Sequence, residues 1–315
     1  MPMQREIPQF APETFKHWFR RHSAQNPHGP KVILWADTFN NNFLPETVQA
    51  ALEVLEHFGF RIHVPTGHLC CGRPLYDYGF LDQAKRYLEK VLDTLAKEID
   101  AGTPIVVLEP SCCSVFRDEL IGLMPENERA HRLAENTFLL SEFLEKEVKH
   151  YELPQVRRRA LAQGHCHHKA IMRFYDEEAV MKKMGLDFTT LASGCCGMAG
   201  SFGFEAEKYE LSMQIGERSL LPAVRTAAPS TMVIADGFSC REQIAQGTDR
   251  QALHLAEVMV LALREGDHGG DDSYPEKQFV QPRIAAQERS IRRAGIVTLI
   301  AVGAAAGAWW WMRQR

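Results

Sequence analysis

The feature that most constrains this chain is that it carries one pattern twice. "KVILWADTF" at 31–39 resembles "RALAQGHCH" at 159–167, each an apolar strand running into a turn. "LCCGRP" holds the doublet Cys70 and Cys71, and "SGCCGMAGSFGFE" holds Cys195 and Cys196. "VVLEPSC" ends at Cys112 and "VIADGFSC" ends at Cys240. Pairing Thr38 with Cys166, Cys70 with Cys195 and Cys112 with Cys240 gives intervals of 128, 125 and 128 residues. Near-constant intervals of that length mean a duplicated unit of domain size.

Within each copy, apolar strands alternate with amphipathic helices. The first copy reads as strand 31–37, a helix through "PETVQAALEVLEHFG" with Val48, Leu52 and Leu55 on one face, a short strand "RIHVP", a helix over 79–98 and strand 104–109. The second reads as strand 159–164, helix 168–184, strand 187–192, helix 205–223 and strand 231–236. Alternating strands and helices imply an α/β fold: two duplicated βαβ-type cysteine-rich domains with parallel sheets. The expected boundaries are an N-terminal extension over 1–30, a first domain over 31–150, a second over 151–265 and a polar linker over 266–293.

The eight cysteines are too sparse for a disulfide scaffold, and six of them fall as adjacent pairs, whose bridges are strained. The opening "MPMQREIPQF" lacks the charged start and apolar run of a signal peptide, so the thiols are expected in a reducing compartment. Each cysteine group lies at or just beyond the carboxyl end of a strand, the edge where open parallel sheets bind ligands. Cys166, Cys195, Cys196 and Cys240 together supply four thiolates, the complement of a [4Fe–4S] cluster or a structural zinc. Zinc sites usually arrive as two CxxC-like clips, and neither clip is present. Adjacent thiolates reach different irons of a cluster more easily than one metal atom. Gly194 and Gly197 let the loop backbone approach and point N–H groups at sulfur.

These motifs carry a resemblance. The repeated "C…CCG…C" pattern is similar to the cysteine-rich CCG-domain family, which includes the B subunit of heterodisulfide reductase and the iron–sulfur subunits of glycolate and lactate oxidases. "LCCGRPLYDYGFLDQAKRYL", "EPSCCSVFRDEL", "GHCHHKA", "SGCCGMAGSFGFE" and "DGFSCREQI" look most like the C-terminal part of FAD-linked 2-hydroxyacid dehydrogenases. The resemblance spans about residues 5–265. It implies iron–sulfur ligation by Cys166, Cys195, Cys196 and Cys240, with a second cluster site in the first copy at Cys70, Cys71, Cys112 and Cys113. It also implies electron transfer from a separate flavoprotein dehydrogenase subunit, which carries the FAD, or from a ferredoxin-like protein, toward quinone or another acceptor. The chain departs from the family pattern in three respects. Thr38 stands where the leading cysteine of the first copy belongs. Val115 and Gln243 replace the second cysteine of each terminal CxxC. Neither a flavin domain nor the ferredoxin-like CxxCxxCxxxCP run occurs.

His165, His167 and His168 surround Cys166, and His68 precedes Cys70. They read either as extra ligands or proton relays, or as hydrogen-bond donors at the cluster margin and the domain interface. Arg73, Arg241 and, less strongly, Lys169 read either as offsets to cluster charge or as ordinary surface cations. The net charge of −4 and pI near 6.4 leave no electrostatic footprint for nucleic acid. Three function classes therefore stand: an iron–sulfur electron-transfer component of an oxidoreductase, a zinc-binding or metal-free interaction scaffold, and thiol–disulfide catalysis at a vicinal pair.

The tail reads differently. Ala294 to Met312 holds no charge, and a helix of 19 residues spans about 28 Å, near the thickness of a bilayer core. Trp309, Trp310 and Trp311 close it, and arginines flank it with the excess on the N-terminal side. The expectation is a C-terminal transmembrane helix over 294–312. It would anchor the body by its tail to the cytoplasmic face of the inner membrane.

Overall fold

The structure is a computed structural model and describes residues 1–148, 152–265 and 274–292. Two parallel sheets carry the fold. The first contains β1 (Lys31–Trp35), β2 (Arg61–His63), β3 (Ile105–Val107) and β4 (Thr137–Leu139) in the order β2-β1-β3-β4. Lys31 lies opposite Arg61, Ile33 opposite Ile105, and Ile105 opposite Thr137. The second contains β5 (Arg159–Ala162), β6 (Asp187–Thr190) and β7 (Met232–Ile234) in the order β6-β5-β7. Ala160 pairs with Phe188 on one side and Met232 on the other. The protein is thus a mixed α/β fold of two domains with parallel sheets, as the alternation of elements requires.

In both sheets the chain winds first to one side of the opening strand and then to the other. The order therefore reverses between β1 and β3 and again between β5 and β7. Such a switch point leaves a crevice at the carboxyl edge of the sheet, because the two connecting loops diverge there. Every cysteine group of the chain follows one of these strand ends.

The helix Pro45–His57 forms as its pattern dictates: Pro45 opens it, and Val48, Leu52 and Leu55 are fully buried along one face. That face packs against helix Leu255–Glu265, which follows the second sheet, so one hydrophobic core containing Val32, Leu52, Ala160 and Val260 runs through both domains. Helix Leu140–Glu147 likewise packs on Tyr175–Lys183 across the junction. The domains are fused by exchanged helices, and this holds their carboxyl edges in a fixed relation.

The structure differs from the sequence expectation in five places, the first being that the helix expected over 205–223 is split into Tyr209–Glu217 and Leu220–Thr226. The helix expected over 79–98 breaks at Leu95 into Leu81–Thr94 and Ala96–Asp100. The helix expected over 168–184 starts as a π-turn, His168–Met172, and resumes at Tyr175 only after Arg173 and Phe174 adopt left-handed conformations. Strand β4 is unforeseen, because three residues between two helices carry no alternation to read. The stretch read as a polar linker contains a helix over 277–292, fastened by Arg283 to Glu46 and Gln251.

The expected transmembrane helix calls for a correction. Among the described residues no helix is long and apolar enough to cross a membrane. The helix over 277–292 carries Lys277, Arg283, Glu288, Arg289 and Arg292, and such charges are expensive in hydrocarbon. The segment 294–312 lies outside the described residues. The described fold is therefore two α/β domains, and neither the transmembrane helix nor the tail-anchored location at the inner membrane is carried forward.

Candidate metal centre

Four positions sit in the first turn of a helix that follows a strand at a switch point. Thr38 opens helix Thr38–Asn42 after β1, Cys112 lies in Pro110–Ser114 after β3, Cys166 opens the helical turn after β5, and Cys240 lies in Phe238–Gly247 after β7. The positive end of a helix favours a thiolate at such a place. The doublets arrive from the loops after β2 and β6, each ending in a glycine with positive φ: +80° at Gly72 and +93° at Gly197. The backbone turns back on itself there, so the Gly72 N–H donates to Cys70 Sγ at 3.5 Å and the Gly197 N–H to Cys195 Sγ at 3.3 Å. At Gly197 no other residue fits, because a Cβ would overlap the Ser212 carbonyl oxygen. Gly194 has open space around its Cα.

The second copy brings all four of its cysteines together. The thiols of Cys166 and Cys196 both reach Cys195, and Cys196 also reaches Cys240. The S–H donors of Cys166 and Cys196, with the Gly197 N–H, hold the Cys195 thiol well below its ordinary value against the opposing effect of burial. Its neighbours move the other way. The adjoining Cys195 pushes the Cys166 thiol up, and Cys195 and Cys240 together with burial push Cys196 up. The opposed directions at Cys195 and at Cys166 and Cys196 follow from charge repulsion, since a second thiolate in contact with the first is disfavoured. A polycation replacing the thiol protons would relieve the repulsion, so the donor set fits a thiolate-bound metal or cluster.

The first copy assembles three sulfurs and one hydroxyl. Cys71 donates to Cys112 at 3.1 Å, Cys70 adjoins Cys71, and the Thr38 hydroxyl reaches Cys70. The Cys71 contact favours the Cys112 thiolate, yet burial and the charges of Asp37, Glu109 and Cys70 leave that thiol at about 12. Cys113 is not among them. It points away from them, beside Arg117, whose Nη1 donates to both Glu142 carboxylate oxygens at 2.6 and 2.8 Å.

The two centres face one another across the domain junction. Arg73, two residues beyond Cys71, donates to His167 Nε2 at 2.9 Å and pairs with Glu119. His167, one residue beyond Cys166, therefore accepts on that nitrogen, and burial lowers its basicity. His165 is buried against Gly237, and desolvation with the nearby His167 holds it near 3, as a neutral ring. Lys169 donates to the Ser193 carbonyl and staples the π-turn to the doublet loop. Arg241 is only 6% exposed and spans the junction, donating to Asn40 and Thr47 at 3.0 Å with Glu257 at 3.7 Å.

Sequence reasoning passed over two buried carboxylates. Glu109 accepts the Phe238 N–H at 2.7 Å and so fixes the helix bearing Cys240 to the first domain. Asp37 caps the Thr38 helix through the N–H groups of Phe39 and Asn40. "ADTFN" carries the cap signature that would have found Asp37. Glu109 also caps the Cys112 helix, accepting from the Ser111 N–H and hydroxyl, but its bond to Phe238, 129 residues away, has no local trace.

Comparison with known proteins agrees with this geometry. The profile of a family described as a cysteine-rich domain, CCG, matches residues 37–117 and 166–245, about half of the chain. The chain is 25% identical over 266 residues to the C subunit of anaerobic glycerol-3-phosphate dehydrogenase of Escherichia coli K12, covering 82% of this chain and 66% of that protein. It is 26% identical over 244 residues to lactate utilization protein A of Bacillus licheniformis, covering 73% of this chain and 98% of the relative. It is 28% identical over 232 residues to D-2-hydroxyglutarate dehydrogenase of Pseudomonas putida, of which it covers 22%. The chain thus spans just under two thirds of the first of these proteins and under a quarter of the last.

Proposed function

Because the chain belongs to the cysteine-rich CCG-domain family, we propose that it is a redox subunit that holds an iron–sulfur cluster and relays electrons for a dehydrogenase. The observation that carries this reading is the convergence of Cys166, Cys195, Cys196 and Cys240 from three strand ends. These residues are the ligands of a [4Fe–4S] cluster. A cluster bound there supplies one-electron exchange without bond making at the protein.

The chain's own residues set the conditions for that exchange. The helix ends before Cys166 and Cys240 and the Gly197 N–H stabilise negative charge on sulfur, which favours the reduced state. Burial of Cys196 and Cys240 excludes water and acts in the opposite sense. Arg73 and Arg241 sit at the domain junction rather than on a free surface, where Arg73 reaches His167 and Arg241 reaches Asn40 and Thr47. Cys70, Cys71 and Cys112, with Thr38 in the fourth place, form a three-thiolate second site. The dehydrogenase names among the relatives support a flavoprotein dehydrogenase partner as electron donor, with a ferredoxin-like protein as the other candidate and quinone as one candidate acceptor.

The test is iron, acid-labile sulfide and zinc analysis of anaerobically purified protein, with electron paramagnetic resonance of the reduced and oxidised forms. About four irons and four sulfides per chain, lost in Cys196→Ser, is the expected result for one four-cysteine site. Stoichiometric zinc on the cysteines, or folded protein that binds neither iron nor sulfide under strict anaerobiosis, would overturn the relay and leave a binding scaffold.

A further inference from the structure

Behind the second cysteine group lies a cluster that the electron relay does not use. His168, Glu177 and Asp236 are all buried, the first two only 1% exposed, and their ligand atoms lie within 4.8 Å of one another. They come from three elements: the π-turn after Cys166, helix Tyr175–Lys183, and the loop between β7 and Cys240. Neither ring nitrogen of His168 has a hydrogen-bond partner, and neither has Glu177 Oε2. Ser141 Oγ approaches Glu177 without a well-formed hydrogen bond, from helix Leu140–Glu147, which packs on the Glu177 helix.

Unpartnered buried polar atoms are rare, and three on one small site demand an account. The charges demand one too. Among the described residues no arginine or lysine pairs with either carboxylate. Asp236 Oδ1 accepts the Leu255 N–H at 3.0 Å and lies 3.5 Å from His254 Nε2. His254 Nδ1 accepts the Ala256 N–H at 3.0 Å, and its Nε2 also faces the Leu108 carbonyl at 3.1 Å. Without a cation the two buried carboxylates face one another with no opposite charge between them, and the imidazole beside them stays unpartnered.

We propose that His168, Glu177 and Asp236 bind one divalent transition-metal ion, with zinc the first choice, as a structural site separate from the cysteine centre. Two carboxylates neutralise a dication, and one imidazole with two carboxylates is a donor set that zinc, iron(II) and manganese(II) accept. Around one zinc, ligand atoms at 2.0–2.2 Å lie roughly 3–3.5 Å apart, so shifts of about an ångström close the trio. A water molecule or Ser141 Oγ completes the coordination. His168 is two residues past Cys166, and Asp236 is four residues before Cys240. The ion thus pins the two turns that deliver those thiols.

The experiment uses the full chain and the metals alone. Zinc is measured per chain by elemental analysis in the natural protein, in Cys196→Ser and in Glu177→Gln. Cobalt(II) is then added to chelator-treated samples of the same three proteins. One zinc per chain that persists in Cys196→Ser and is lost in Glu177→Gln is the expected pattern. Cobalt in Cys196→Ser should give weak ligand-field bands without thiolate-to-cobalt charge transfer, and Glu177→Gln should bind it at least tenfold more weakly. Glutamine mimics the protonated carboxyl of the metal-free form, so this variant folds, as circular dichroism checks; His168→Gln is the second variant should it fail. Zinc or cobalt binding that Glu177→Gln and His168→Gln leave unchanged overturns the proposal. So does folded Cys196→Ser that takes up neither ion at millimolar concentration.

Discussion

The two glycines that follow the cysteine doublets allow a paired experiment. Gly72 and Gly197 have nearly the same positive φ, +80° and +93°, and make the same N–H contact to the first sulfur of their doublet. Their surroundings differ. A Cβ on Gly72 would meet Ala84 Cα at 3.5 Å, an ordinary contact, whereas a Cβ on Gly197 would overlap the Ser212 carbonyl oxygen and lie 3.2 Å from Gly216 N. An alanine in the left-handed region costs about 1–2 kcal/mol, and that term is common to both sites. Forcing extra volume against packed backbone adds about 1–3 kcal/mol, and that term falls on Gly197 alone. Gly72→Ala should therefore lose about 1–2 kcal/mol and Gly197→Ala about 2–5 kcal/mol. Calorimetry of both variants under anaerobic, metal-free conditions measures the difference. Iron content after reconstitution reports whether the loop still presents Cys195 and Cys196. Equal destabilisation by the two substitutions, or a Gly197→Ala variant within about 0.5 kcal/mol of the parent, would refute the claim that close approach to Ser212 shapes the second loop.

Three further outcomes follow from the same geometry. Cys113→Ser should leave iron content unchanged, since that thiol lies beside Arg117, while Cys112→Ser should abolish any iron held by the first copy; elemental analysis separates the two. Arg73→Lys keeps the charge but loses the fork that serves Glu119 and His167 together, so a loss of about 1–3 kcal/mol is expected in denaturant unfolding. The side-chain bonds from Arg21 and His17 hold the Glu13 carboxyl at about 2, below its ordinary value. This depressed carboxylate favours the folded state above the unfolded pKa and loses that contribution as pH falls through about 2. An NMR titration should place the Glu13 midpoint well below its ordinary value, and Arg21→Ala should raise it.

Much of the fold was legible in the chain because duplication and parallel winding leave one-dimensional traces. The constant spacing from Thr38 to Cys166 and from Cys112 to Cys240 exposed the repeat, and the order of apolar runs and cysteines placed the thiols at the carboxyl edges of β2, β3 and β5 to β7. These are properties of periodicity and order, which the sequence carries directly. Membrane attachment did not reach the structure in the same way, since the apolar run at 294–312 lies beyond the described residues. Direction and partnership needed the tertiary structure. Cys112 and Cys113 are neighbours in sequence, but successive helical residues point about 100° apart, so one thiol joins Cys71 and the other turns to Arg117. Thr38 reads as a lost ligand in the sequence, yet in the fold its hydroxyl still reaches Cys70. His168, Glu177 and Asp236 carry no common motif. Only the packing of a π-turn, a helix and a strand end brings them within 4.8 Å, because burial and chain crossing, unlike periodicity, are decided between elements.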